Sequence, residues 1–250
     1  MGSAEVTWPR VNFDYNGCDV LVTGGTSGIG SGIAAAFAAA GARVTVTGTR
    51  ADRAEYPLLP AKYGYARLRL DHAADIAALT ERFAHLDVLV NNAGGTEVAD
   101  DFERTVQINL TAVYHVCNAL HASLCASRFP GGASVINLGS MMSLFGSRHF
   151  PAYSAAKGGL ILLTRSLAAR WAADSIRVNA VAPGSVLTPM TQRFADDPEL
   201  HAAICQRTPL GRWGEPRDIA GAALLLCTPA AAFITGHTLV ADGGYSITDL

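Results

Sequence analysis

A short apolar run, Cys18–Thr23 (CDVLVT), stops at Gly24-Gly25, and Ile33–Ala40 (IAAAFAAA), a stretch of strong helix formers, follows ten residues on. That order predicts a strand, a glycine turn and a helix. The pattern recurs. Arg43–Thr47, Tyr65–Leu70, Asp87–Val90, Ser134–Leu138, Ile176–Ala180 and Thr238–Val240 are further strand candidates, with helical patterns near Ala73–Phe83, Phe102–Ala126, Ala152–Ala172 and Pro216–Cys227. Several strands are apolar on both alternating faces, as strands covered by helices on both sides must be. Alternation over the whole length predicts an α/β fold, a doubly wound parallel sheet in one domain across residues 1–250, with 1–12 an extension in front of it. Two segments break the rhythm. Ala51–Gly64 carries Pro57 and Pro60, which exclude a regular crossover helix and predict coil or a single turn. Thr188–Arg212, with Pro189, Pro198 and Pro209, is a long excursion after a strand and a candidate substrate lid.

Half of the 250 residues are hydrophobic and 16% are charged, which excludes a disordered chain. Lys and Arg number 19 against 21 Asp and Glu, with no basic run, so neither nucleic acid nor an anionic membrane is an expected partner. The longest apolar stretches fall short of the ~18–20 residues that span a bilayer. A small molecule is the expected partner. Cys18, Cys117, Cys125, Cys205 and Cys227 read as reduced, buried side chains without metal-ligand spacing to the histidines, which suits a cytoplasmic protein. His115 and His121, six apart, do not share a helix face, and no metal is expected.

The chemistry-bearing residues gather at strand ends. Thr23–Gly30 (TGGTSGIG) lies where the first strand becomes the first helix, the place where an open α/β sheet binds a pyrophosphate. Gly24 would allow the tight turn, Gly28 close approach of backbone to phosphate, and Gly30 close packing of helix on strand. Asn91–Gly94 (NNAG) closes the fourth strand at the same edge. Asn109 sits among Val106, Ile108 and Leu110, where an amide either serves a site or satisfies local backbone. Tyr153 and Lys157 are four apart and share a helix face. A fixed cation favours a phenolate, and a depression of about three pKa units is worth roughly 4 kcal/mol, although such a pair alone is also a common surface arrangement. Ser140, just after a strand, could hydrogen-bond the same substrate oxygen.

In this order, and with Pro183-Gly184, the tail Pro209–Arg212, Thr235-Gly236 and Asp242–Gly244, these motifs make the chain resemble the short-chain dehydrogenase/reductase family from about Phe13 to Tyr245. The resemblance implies a Rossmann-like, seven-stranded, single-domain sheet and an NAD(P)-dependent alcohol/ketone oxidoreductase. It implies Tyr153 as acid/base, Ser140 as the group orienting the carbonyl or hydroxyl, Lys157 as the cation that lowers the Tyr153 pKa and holds the nicotinamide ribose, and Asn109 as the holder of a water linking Lys157 to solvent. It implies cofactor contacts at Gly24, Thr26, Ser27, Gly28, Ile29 and Gly30 in the turn, at Asp71 near the adenine, and at Asn91, Ala93 and Gly94 near the adenosine ribose. Toward the nicotinamide it implies Tyr153, Lys157, Pro183, Gly184, Val186 and Thr188. Two departures stand out: Gly139 replaces the Ser usual before Ser140, and the prolines of Ala51–Gly64 alter the adenosine end.

At the end of the second strand, Gly48 stands where an NAD-selecting enzyme usually has Asp or Glu, and Thr49 and Arg50 could bind a 2′-phosphate. NADP(H) is therefore expected over NAD(H), with Ser27 weakening the case. Met141, Met142, Leu144, Phe145, Met190, Phe194 and Trp213 are pocket candidates, His149 a rim residue, and Arg148, Arg193 and Arg207 the only nearby cations, none in a position that fixes its direction. The expected substrate is a neutral, moderately hydrophobic secondary alcohol or ketone, with a 3-oxoacyl thioester reductase or a non-catalytic NADP(H)-binding regulator as alternatives. The apolar helical segments Phe102–Ala126 and Ala152–Ala172 exceed what one sheet face needs, and a homotetramer, or a homodimer, is expected.

Overall fold

The computed structural model describes residues 12–96 and 101–247; of the extension expected at 1–12, all but Asn12 lies outside the described residues. Strands β1 (Asp19–Val22), β2 (Arg43–Gly48), β3 (Gly64–Arg67), β4 (Val88–Asn91), β5 (Ala133–Leu138), β6 (Ile176–Pro183) and β7 (Thr238–Ala241) form one parallel sheet in the order β3-β2-β1-β4-β5-β6-β7. Helices are α1 (Gly28–Ala39), α2 (Ala73–Thr80), α3 (Phe102–Val106), α4 (Ala112–Ala119), α5 (His121–Cys125), α6 (Pro151–Trp171), α7 (Gln192–Ala195), α8 (Pro198–Arg207) and α9 (Pro216–Cys227). The chain winds outward from β1 to β3, then returns to lay β4 on the other side of β1, with Val20 opposite Val88 and Val22 opposite Val90. The strand order therefore reverses between β1 and β4, and the carboxyl ends of these strands open a crevice.

Strand alternation sorts the core into two layers. Val20 and Val22 face Ile33 and Phe37 of α1 and Ile219 and Ala223 of α9. Leu21, between them, faces Leu79 of α2, Val116 of α4 and Leu160 of α6. Each such side chain contributes roughly 1.5–3 kcal/mol on burial. On the first side α1 and α9 approach as closely as glycine permits: a Cβ on Gly32 would lie 2.5 Å from the Pro216 Cβ.

The helix expected over Phe102–Ala126 is not continuous. After α3 the chain makes a π-helical turn, Gln107–Thr111, and a second break at Leu120 separates α4 from α5. The Asn109 amide explains the first break. Its Nδ2 donates to the Thr105 carbonyl at 3.0 Å, and the extra residue of the wider turn tucks that amide completely inside. The Ala51–Gly64 segment forms one 3-10 turn, Arg53–Glu55, started by Asp52, whose Oδ1 accepts from Ala54 N at 2.8 Å. The 188–212 excursion carries α7 and α8 and is closed at its neck by a parallel bridge between Val186 and Gly214, with Leu187 N donating to Gly214 O at 2.9 Å. Among the described residues no helix is long and apolar enough to cross a membrane.

Candidate active site

The glycine turn is built by its neighbours. Thr23 Oγ1 accepts from the backbone N–H groups of Asn92 and Ala93, both at 3.0 Å, and the Asn92 amide donates to the carbonyls of Thr23 at 2.9 Å and Gly24 at 3.2 Å. Thr47 Oγ1 accepts from Gly24 N at 3.1 Å. Gly24 and Gly28 take φ of +63° and +56°, which a side chain would strain, and a Cβ on Gly30 would overlap the Asn92 amide and the Gly24 carbonyl. The turn delivers Thr26, Ser27, Gly28 and Ile29 to the start of α1. That helix has no acidic residue in its first turn, and Ser27 makes no side-chain cap hydrogen bond, so its amide N–H groups face the crevice with the helix dipole behind them. Thr188 lies against Gly28, where a built Cβ would meet its side chain at 3.4 Å, and Gly184 packs on Asp242, leaving no room for a Cβ.

Ser140 is the second residue past β5. Its Oγ accepts from Met142 N at 3.1 Å, and its own N–H donates to Ser143 Oγ at 3.1 Å. The Gly139 departure has a local reason: a Cβ there would crowd Ser143 Oγ at 3.2 Å and Ile161 Cδ1 at 3.3 Å. Pro151 opens α6, which carries Tyr153, half-buried, and Lys157, 4% exposed. Lys157 Nζ donates to the Leu138 carbonyl at 2.6 Å and lies 5.6 Å from the centre of the Tyr153 ring. Loss of water around the buried ammonium lowers its pKa to about 8.

Asn109 faces this group across Gly94, whose built Cβ would sit 2.6 Å from Asn109 Oδ1 and 4.0 Å from Lys157 Nζ. The Asn109 amide spends both hydrogens on backbone, at Gly95 O and Thr105 O, and its oxygen accepts from Gly95 N at 3.1 Å. Only the second lone pair of Oδ1 is left for the expected water. Beneath the site runs a buried chain of neutral groups: Asn91 Nδ2 donates to Asn137 Oδ1 at 2.9 Å, Asn137 Nδ2 to Thr164 Oγ1 at 2.9 Å, and Thr164 Oγ1 to the Leu160 carbonyl at 2.8 Å. It ties β4, β5 and α6 together. Asn91, expected near the adenosine ribose, stands at the end of β4. The side chain is turned into the core, and Asn92, which sequence reasoning passed over, does the work at the turn.

At the far end Thr49 and Arg50 are exposed, and Tyr56 folds back over β2. A Cβ on Gly48 would run into the Tyr56 hydroxyl, which accepts from Arg50 N at 3.2 Å; the Arg50 guanidinium lies 5.0 Å over the Tyr56 ring and donates to the Glu55 carbonyl. Burial alone would raise the Tyr56 pKa, but hydrogen bonds from Arg50, Thr49 and Tyr65 outweigh it and lower it. Asp71 is ion-paired with Arg104 at 3.4 Å.

On the substrate side two expectations change. Arg207 is oriented after all, its guanidinium 4.2 Å over Tyr245 and 5.6 Å over Phe145, in the loop that follows Ser140. Trp213 is buried and stacks on His201 at 6.0 Å, which makes it packing for α8 rather than pocket wall. Cys125 is exposed and Cys205 half-buried, and His121 and Cys125, one turn apart, do meet, contrary to the reading of the cysteines as buried and without ligand spacing.

The family described as Enoyl-(Acyl carrier protein) reductase matches residues 24–246. The galactitol 2-dehydrogenase (L-tagatose-forming) of Cereibacter sphaeroides is 38% identical over 256 residues, covering 95% of this chain and 98% of its own. The 3-oxoacyl-(acyl-carrier-protein) reductase FabG of Chlamydia pneumoniae is 36% identical over 91% of this chain and 96% of its own. The solved gluconate 5-dehydrogenase of Burkholderia cenocepacia J2315, in complex with NADP and tartrate, superposes with a TM-score of 0.85 at 30% identity, covering 95% of this chain and 98% of that one. The chain belongs to the short-chain dehydrogenase/reductase family. It is an oxidoreductase acting on CH–OH groups with NAD(P). The glycine turn, the uncapped start of α1 and the small residues at the ends of β1 and β4 fit that dinucleotide, because Cβ atoms at 24, 28 and 30 would strain or fill the cradle.

The buried ammonium has a measurable consequence. Since the folded pKa of Lys157 is lowered from 10.5 to about 8, keeping it charged costs folding free energy at every pH below about 8, and the cost fades as pH rises toward 10.5. The unfolding free energy of wild type relative to Lys157→Met should therefore rise by about 2 kcal/mol between pH 7 and pH 10. Denaturant titrations of the two proteins across that range measure it, and a difference that stays flat overturns it.

Proposed function

We propose that this protein interconverts a secondary alcohol and a ketone with NADP(H), using Tyr153 as the acid/base. The observation that carries the reading is the buried Lys157 ammonium, locked on the carbonyl of Leu138 two residues before Ser140 and one helical turn from Tyr153. The dinucleotide, held by the glycine turn and the start of α1, supplies or accepts the hydride when bound. In reduction, Tyr153 Oη gives its proton to the substrate oxygen. Ser140 Oγ, one of whose lone pairs is engaged by Met142 N–H, donates its own hydrogen to that oxygen and stabilises the charge developing there. Lys157 favours the phenolate that Tyr153 becomes and holds the nicotinamide ribose, while Asn109 braces the Gly94-Gly95 loop against it. Oxidation runs these transfers backwards. Tyr153→Phe should lower turnover at least ~1,000-fold while the affinity for NADP(H), read by fluorescence titration, stays within a few-fold. Most of the turnover surviving would end the assignment.

The NADP(H) preference rests on Arg50 and Thr49 beside the side-chain-free Gly48, with Tyr56 holding the guanidinium at the rim. For the substrate we favour a neutral, moderately hydrophobic alcohol or ketone, since Met141, Met142 and Phe145 follow Ser140 in the chain and Phe194 belongs to α7 of the 188–212 excursion, which can act as a lid. The oriented Arg207 supports a second reading, a substrate with a carboxylate, in keeping with the tartrate in the Burkholderia enzyme's structure. One panel of neutral ketones, polyols, sugar acids and 3-oxoacyl thioesters, run with both cofactors, separates these readings. Arg50→Ala should cost about tenfold or more in kcat/KM for NADPH and leave NADH nearly unchanged. A wild-type preference for NADH of tenfold overturns the cofactor assignment, and sugar acids or thioesters exceeding the best neutral ketone a hundredfold overturn the substrate one.

We further propose a homotetramer. Leu162 of α6 and Tyr114 of α4 leave 62% and 39% of their surfaces exposed, which self-association would cover. Light scattering at micromolar concentration should give about four times the single-chain mass of 26.1 kDa, and the monomer mass would refute it.

A further inference from the structure

Far from the dinucleotide crevice, three side chains of different chemistry converge on one point. His121 opens α5 and Cys125 closes it, one turn later on the same face; Asp174 ends the 3-10 turn that follows α6. His121 Nε2 lies 3.0 Å from Asp174 Oδ2 and 3.6 Å from Cys125 Sγ, and the ligand atoms of all three lie within 4.8 Å of one another. Tetrahedral coordination with Zn–N and Zn–O near ~2.0–2.1 Å and Zn–S near ~2.3 Å requires ligand-to-ligand separations of about 3.3–3.6 Å. The observed spacings bracket those values. Trp171 is buried behind the His121 ring, with ring centres 4.8 Å apart, which limits the swing of the imidazole. Asp174 and Cys125 are exposed and His121 is partly so, leaving a solvent-facing side for a water as fourth ligand.

One other reading of these atoms, and one other cluster, fit less well. A Cys-His-Asp catalytic relay needs the thiol on one imidazole nitrogen and the carboxylate on the other. Here Sγ and Oδ2 both make their nearest approach to Nε2, as ligands around a shared centre do. The other cluster of this kind among the described residues, Asp19, His85 and Asp87, is already committed: Arg43 binds both oxygens of Asp19, at 2.7 and 2.8 Å, and Asp87 accepts from Asp19 N and Ser127 Oγ.

We propose that His121 Nε2, Cys125 Sγ and the Asp174 carboxylate form a binding site for one divalent transition-metal ion of the zinc class. A single thiolate, imidazole and carboxylate select that class over Mg2+ and Ca2+, which take oxygen ligands. On binding, the Cys125 thiol releases its proton to solvent and no electron is transferred. The bound ion clips the end of α5 to the turn between α6 and β6. It sits near Trp171, 18 residues along α6 from Tyr153, about 27 Å at the helical rise, so it is separate from the hydride-transfer site.

Cobalt(II) reads this site directly, because a thiolate ligand produces a near-ultraviolet charge-transfer band and four-coordination produces intense visible bands. Titrating the full-length, chelator-treated protein with CoCl2 should develop both, saturate at one equivalent per chain and reverse on adding ZnCl2. Cys125→Ser should abolish the charge-transfer band, and Asp174→Asn should weaken Co2+ binding at least tenfold. Both variants alter exposed side chains, and retained NADP(H) binding serves as the check that they are folded. No band with millimolar Co2+, or a band that survives Cys125→Ser, overturns the proposal.

Discussion

One hydrogen bond, from the Lys157 ammonium to the carbonyl of Leu138, sets the geometry on which the rest of the site depends. Leu138 is the last residue of β5 and Ser140 follows two positions later, so the bond fixes the register of α6 against the strand that presents the serine. A slip of one helical turn would move the phenol of Tyr153 by about 5.4 Å and take it out of reach of anything Ser140 can touch. The bond also offsets part of the cost of burying the charge. Charge-assisted hydrogen bonds contribute roughly 1.5–3 kcal/mol, comparable with the penalty implied by the lowered pKa.

Underneath, the chain from Asn91 through Asn137 and Thr164 to the Leu160 carbonyl does for the layers what Lys157 does for the site. It is buried and neutral, so it carries no desolvation penalty of an ionic kind, and each side chain in it donates to the next acceptor along. A network of this sort rewards one relative placement of β4, β5 and α6 and penalises the alternatives, because any shift strands a polar group away from water. The apolar layers around it are less particular about register.

The sheet was legible in the sequence because strand and helix periods alternate without ambiguity, and each expected strand lies within one to three residues of its observed bounds. The glycine turn and the spacing of Tyr153 and Lys157 were legible for the same reason: each is a local pattern whose geometry follows from the element carrying it. What escaped notice depends on partners distant in sequence. The interruption at Asn109 arises from its bonds to Gly95 as well as Thr105, and an apolar helical pattern gives no sign of that. Asn92 reaches back 69 residues to Thr23, so its work at the turn could not be told from that of Asn91 beside it. Arg207 gains its direction from Phe145 and Tyr245, on segments far away in the chain. His121 and Cys125 stood one turn apart in plain view, yet only the fold supplies Asp174.

Tyr56 over Gly48 bears on how such a chain could change its cofactor over evolutionary time. Installing an acidic side chain at position 48 is the direct route toward recognising the unphosphorylated ribose, but here the space is taken by a phenol that also holds Arg50. The acid has no room until Tyr56 has left, and losing Tyr56 first removes the ring beneath the arginine and leaves its guanidinium the Glu55 carbonyl. The two substitutions are thus coupled through one shared space, and drift through single changes would tend to leave the adenosine end as it is while the 188–212 excursion and the Ser140 loop vary.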